Sequence, residues 1–316
     1  MSTSFEIKIF EEYLKIVREE LPKDRKYFRG QPRRAADGCP LKPSIGRYTH
    51  LKTKSRFELE QLERSVLEVF TNHIITHVQH IPRDDWESLA IAQHHNLPTR
   101  FMDWTTNPLV ALYFATRYTE KDEHGDNMDG AVYVLINDPT RYCDLKRNYT
   151  IKPIPDSHTT SESKFTMSLK DDYDGYDNFG LEEEDEEMVQ VASSSDISPL
   201  EYEEPYQDED DHDDENSEKK TPSIPSPFDI TTNVIYDPPH VSPRIRAQDA
   251  VLLACHQPLE ELEPKDYIEI IIKHEAHDDI RRRLDQYGVF DKQLFPEIDG
   301  ITKWLKYHVF EIDESI

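Results

Sequence analysis

Apolar residues recur at three- and four-residue steps through residues 57–78, FELEQLERSVLEVFTNHIITHV, placing Leu59, Leu62, Val66, Phe70, Ile74 and Val78 along one stripe. That spacing predicts a long amphipathic helix packed on the core. A second helix is expected from a cap at Asp84 or Asp85 through Trp86, Leu89 and Ala92 to His94 and His95, with Asn96 and Pro98 ending it. TRFMDW at residues 99–104 is too short for a helix and reads as an extended segment. Asn107 then supplies a cap, and Pro108 suits the first position of the helix PLVALYFATRY. AVYVLIND from Ala131 reads as a buried strand, and YIEIIIKHE from Tyr267 as a strand feeding a helix over His277–Gln286. The apolar runs NVIY and AVLLAC precede it. Strand and helix signals mixed along the whole body predict an α+β class.

Between about 155 and 228 the pattern stops. Serine, proline and like charge replace aliphatic residues, too few of which remain to offset ordering entropy. We read residues 1–154 and 229–316 as two parts of one domain, interrupted by a disordered acidic insertion at 155–228. The chain of 316 residues carries a formal charge of −27, but 22 acidic residues and no lysine or arginine lie between Asp171 and Glu218. The remainder is close to neutral, at −5. Such a body has no basic stripe for a phosphate backbone, which argues against direct nucleic-acid binding. No apolar run approaches about 20 residues, and the N-terminus is charged and amphipathic, so a soluble, cytoplasmic protein without membrane contact is expected. Cys39, Cys143 and Cys255 form no CxxC pair and read as buried thiols in a reducing compartment. His73 and His77 are four apart on the long helix, but no third ligand is spaced to complete a site, so no metal is expected.

KYFRGQ at residues 26–31, LKPSIGR at 41–47 and WESLAIAQHHNLPTRFMDWTTNPLVALYFAT at 86–116 resemble the FRG domain family, named for its Phe/Tyr-Arg-Gly signature. RIRAQDAVLLAC and DQYGVFDKQLFPEIDGITKWL are similar to its closing segments. A weaker, fold-level resemblance is to the ADP-ribosyltransferases, whose split sheet with flanking helices carries an Arg or His, a Ser/Thr element and usually a Glu around one NAD cleft. Under it, Arg29 is the first element, DWTTNPLVALYFA the second, and Gln248 stands in the third place. The resemblance implies a nucleotide-binding protein that consumes NAD as its substrate, by ADP-ribosyl transfer or hydrolysis, in a toxin or antiviral effector. Another class stays open: a noncatalytic nucleotide sensor or protein-interaction module.

Cleaving the nicotinamide–ribosyl bond develops oxocarbenium-like charge. The expected catalytic set is Arg29, Thr105, Gln248, Asp103 and His94; the expected ligand-binding set is Arg29, Gly30, Arg100, Thr106 and Arg47. Arg29 and Arg47 offer guanidinium donors to phosphate, and Gly30 lets a ligand approach the backbone. Thr105 and Thr106 offer hydroxyls to a ribose beside the free amides of the Pro108 helix. A neutral Gln248 can bond the ribose but cannot oppose the cation, a loss of about 3 kcal/mol. Asp103 is the carboxylate in position to substitute for it. Structural roles compete with each assignment. Arg29 can pair with Asp103 or a helix-end carbonyl, Thr105 or Thr106 can cap a helix, His94 can be a helix-terminal residue, and Gln248 can satisfy buried backbone groups. Residues 171–218, with tyrosines among carboxylates, can bind a basic protein partner, mimic DNA, carry a short motif, or serve as a solvated loop.

Overall fold

A computed structural model describes residues 3–21, 27–78, 81–136, 139–150, 224–239 and 242–311. In chain order the first part holds β1 (Ser4–Ile7), α1 (Phe10–Lys15), β2 (Phe28–Gln31), α2 (Arg56–Ile74), α3 (Asp85–His94), β3 (Phe101–Thr105), α4 (Pro108–Thr116), β4 (Gly130–Leu135), β5 (Thr140–Arg141) and α5 (Tyr142–Thr150). The second part adds β6 (Val234–Tyr236), α6 (Pro243–Ala247), β7 (Ala250–Ala254), β8 (Tyr267–Ile272), α7 (His277–Gln286), α8 (Asp291–Leu294) and α9 (Ile298–Lys306). The described residues on either side of 151–223 form a single unit. The class is α+β with a mixed sheet, as the pattern indicated.

The eight strands run in the order β1-β8-β4-β2-β3-β7-β6-β5. Strand β8, from the second part, lies between β1 and β4, parallel to the first and antiparallel to the second. Strand β7 likewise lies between β3 and β6. At the centre, β2 and β3 share one register pair, Phe28 with Thr105, whereas β2 pairs with β4 over four residues and β3 with β7 over five. The sheet is therefore two four-stranded halves that open away from each other beyond a single junction.

Alternation along the strands divides the core. On one face Phe28, Val132, Val134, Ile268 and Ile270 pack against apolar residues of α1, α4 and α7. Under the other half of that face, Phe101, Leu252 and Ala254 meet Leu67 of α2 and Trp86 and Leu89 of α3. The opposite face carries Tyr27, Met102, Trp104, Tyr133, Val251 and Leu253 with Leu41. Helix α4 is capped by Asn107, whose Oδ1 accepts from the amides of Leu109 at 3.0 Å and Val110 at 3.4 Å. Pro108 follows at the first helical position, as its fixed φ favours.

Three expectations are corrected. The buried stripe of α2 is Leu59, Glu63, Leu67 and Ile74, while Val66 is exposed. The acidic insertion ends earlier than composition indicates. Phe228 is fully buried, and the carbonyls of Pro225 and Pro227 accept from Trp86 Nε1 at 3.0 Å and Arg100 Nη1 at 2.9 Å. Of the cysteines only Cys255 is buried, where loss of solvent pushes its thiol up to about 12; Cys39 is half-buried and Cys143 exposed. The strongly acidic stretch itself lies outside the described residues, and so does its expected role as a partner segment.

Candidate functional site

The two motif arginines have opposite fates. Arg100 is 1 % exposed, and its Nε donates to Glu63 Oε1 at 3.0 Å while Nη2 donates to Glu63 Oε2. With Nη1 on the Pro227 carbonyl, every nitrogen of this guanidinium is committed to the interior. Its placement as a ligand contact is therefore corrected: a bidentate, buried pair fixes α2 to the turn that starts β3.

Arg29 follows Phe28 at the junction and shares its face with Tyr27 and the paired Tyr133, opposite α4. Nε donates to Gln31 Oε1 at 3.1 Å, and Nη1 donates to the carbonyl of Asp103 at 2.5 Å across the opening between the halves. Gln31 is held in turn by its Nε2 on the Cys39 carbonyl at 2.8 Å. Nη2 has no acceptor among the described residues. Burial lowers the affinity of this guanidinium for its proton, the Asp103 carboxylate opposes that, and Arg47 adds to it. Arg47 is thus close enough for its charge to be felt, and it forms no ion pair among the described residues. It stands at the end of a short 3-10 turn, Ser44–Arg47, held against β3 by the Ile45 amide on the Thr99 carbonyl at 3.3 Å. On Arg29's face, Trp104 is 2 % exposed and its Nε1 has no hydrogen-bond acceptor among the described residues.

Gly30 plays a different part from the one expected. A Cβ there would lie 1.8 Å from the Ala111 carbonyl oxygen and 2.8 Å from the Ala115 amide nitrogen, so the missing side chain admits α4, not a ligand. The hydroxyl of Thr105 is also committed. It donates to the Gln248 carbonyl at 2.7 Å and accepts from the Asn107 amide at 3.0 Å. Gln248 lies at the end of α6, one turn of chain before β7, with its Nε2 on the Leu294 carbonyl at 3.0 Å. The Thr106 amide donates to the Asp249 carbonyl at 3.1 Å, and Asn107 Nδ2 to Asp249 Oδ2 at 3.1 Å. With Asn107 filling the cap and a carboxylate alongside, the start of α4 is not an open anion site.

Asp103 and His94 meet on the helical face. The exposed Asp103 carboxylate accepts from Gln93 Nε2 at 3.1 Å. Partial burial, then His95 and Arg244, hold the His94 imidazole below its ordinary value, against the pull of Glu297 and Asp103. Among the described residues, Asp129, His274 and Glu275 bring ligand atoms within 4.8 Å of one another, but Lys273 Nζ already holds Asp129 at 2.7 Å.

The expected set thus divides. Thr105, Gln248, Asp103 and His94 cluster on the helical face; Arg29 occupies the other, with Arg47 near enough to act on it electrostatically, and meets the first group through Asp103 at the opening. Sequence missed Trp104 as a polar group and Gln31 as the residue that aims Arg29, although Gln31, two residues on along the same strand, was a legible neighbour. No helix of the described residues is long and apolar enough to cross a membrane. Residues 24–124 match the family model described as FRG domain. That segment contains every expected site residue but Gln248. No curated protein and no solved structure matches the chain.

Proposed function

We propose that this chain, which carries an FRG domain over residues 24–124, binds the phosphate groups of a nucleotide at the opening between β2 and β3, and that NAD is the ligand. The observation that carries the reading is Arg29. It is half-buried, aimed by Gln31 and the Asp103 carbonyl, still has Nη2 to give, and shares its surroundings with Arg47. The half-buried Arg29 and the exposed Arg47 nearby, neither with an ion-pairing carboxylate among the described residues, favour a multiply charged oxyanion, because charge-assisted bonds gain strength where water is scarce, as around Arg29. The unspent Trp104 N–H on the same face adds a donor for an acceptor-rich ligand.

Binding is better supported than turnover, since the hydroxyl of Thr105 and the amide nitrogen of Gln248 are engaged in internal bonds. A second reading, cleavage of the nicotinamide–ribosyl bond, rests on one group. The Asp103 carboxylate is exposed at the opening and acts electrostatically on both Arg29 and His94. A carboxylate there opposes the positive charge that develops on the ribosyl carbon.

Thermal denaturation with NAD tests the first reading. At about a hundred times its dissociation constant, NAD stabilises the fold by ~2.7 kcal/mol, and Arg29→Ala abolishes the shift. A wild-type chain that shows no shift with NAD or with ADP-ribose overturns it. Release of free nicotinamide, lost in Asp103→Asn, supports the second reading; binding without release leaves a sensor.

A further inference from the structure

Away from the sheet opening, the body holds a cavity of about 290 Å³ between the end of α4, α7 and α9. Three donor-only nitrogens on its lining residues are buried without an acceptor among the described residues: Arg117 Nε, Arg281 Nε and Trp304 Nε1. Each comes from a different element. Arg117 directly follows α4, Arg281 lies in α7 and Trp304 in α9. A buried N–H without a partner is destabilising, so three of them around one hollow call for a guest rich in acceptors.

The charges agree. Lys303 stands with the two arginines, against Asp285 and Asp291. Asp285 Oδ1 is attached elsewhere, 3.2 Å from His308 Nε2, while the Asp291 carboxylate acts electrostatically on the Tyr113 hydroxyl, which has no hydrogen-bond partner among the described residues. Arg281 uses Nη1 on the Arg117 carbonyl at 3.1 Å and Nη2 on Asp278. The Arg117 guanidinium forms no ion pair among the described residues and lies 5.3 and 4.9 Å from the ring centres of Phe114 and Tyr118. This arginine is held over aromatic rings with its fork unspent.

We propose that this cavity is a second ligand site, for a compact phosphate-bearing anion no larger than a mononucleotide. Tetrahedral oxygens can meet donors that arrive from three elements, which one planar carboxylate cannot. The volume is at the lower end of small-molecule sites, roughly 300 Å³ and up, and excludes a fully enclosed dinucleotide. The site is independent of the one at Arg29.

Titration of the full chain with pyrophosphate and with AMP, read by calorimetry and by tryptophan emission, is the test. Trp86 and Trp104 are each 2 % exposed in other clusters, so Trp304 is the reporter. We expect saturable binding that Arg117→Ala weakens about tenfold or more. Trp304→Phe, which keeps a ring but removes the N–H, weakens it severalfold by calorimetry in an Arg29→Ala background; Arg29→Ala, which removes phosphate binding at the sheet opening, leaves the Trp304 emission response unchanged. The Trp304→Phe variant carries the test if Arg117→Ala does not fold. No saturable binding of either probe at millimolar concentration overturns the proposal. So does equal binding by both cavity variants and wild type, or equal binding of citrate that disappears in moderate salt.

Discussion

Arg29 lies within β2 and Arg100 just ahead of the neighbouring β3, and their surroundings differ in one respect: what each guanidinium has left to give. Around Arg100 the protein supplied a carboxylate and a carbonyl, sealed them under α2 and Phe228, and left no nitrogen without an acceptor. Around Arg29 it supplied two neutral acceptors and an adjacent cation, and left a fork partly open. A signature arginine is therefore no guide to ligand contact until its acceptors are counted. The first arrangement bears on folding, the second on recognition.

Substitutions should separate the two. Arg100→Ala strands the buried Glu63 carboxylate and is expected to cost about 3–5 kcal/mol, measured by urea denaturation; the double change Arg100→Met with Glu63→Leu should recover most of it. If the single variant loses under 1 kcal/mol, the contrast fails. Gly30→Ala drives a methyl into the Ala111 carbonyl and should cost about 1–3 kcal/mol or more, read as a fall in midpoint. An unchanged midpoint would mean that α4 does not rest on β2. Arg29→Ala should cost about 1 kcal/mol in stability while NAD affinity falls about tenfold or more. Equal damage to folding by Arg29→Ala and Arg100→Ala would erase the distinction.

Acidification sharpens it further, with the smallest effect. Burial holds His277 and His94 below the ordinary histidine value in the folded state. The unfolded chain then binds more protons as pH falls, so the stability these groups contribute is present above about 6.5 and is lost as pH drops through their folded values. Melting temperature should fall between pH 7 and 5, less steeply in His277→Gln. Phosphate binding through Arg29 should hold between pH 8 and 6.5, since guanidinium does not titrate there. A flat melting profile would remove the histidine account.

Much of this was legible along the chain. The helix over His277–Gln286 and the Asn107–Pro108 start of α4 follow from caps and periodicity, because those signals are local. Arg100 was misjudged because its partner sits on α2 at a position that looks solvent-facing. Glu63 falls four residues after Leu59 and four before Leu67, and that stripe marks it as buried only once Arg100 is known to meet it. Gly30 was misjudged because the body that needs its missing side chain arrives from a helix eighty residues on, and Thr105 because its acceptor belongs to the far side of the insertion. Non-local partners decide such cases, and no window of sequence contains them.

The interleaving of the two chain parts has a consequence for synthesis. When the ribosome has made only the first part, β1, β4 and β3 exist without β8 and β7, which complete them. The segment 24–124 owns just two of the eight strands, and those touch at one pair. Until β6, β7 and β8 emerge, four strand edges of the first part, at β1, β4, β3 and β5, stand bare, the condition under which nascent chains stick to one another. Closure then waits on joining residues far apart in the chain, a slow kind of assembly, and the highly acidic stretch translated in between leaves the tunnel as a like-charged spacer while those edges wait.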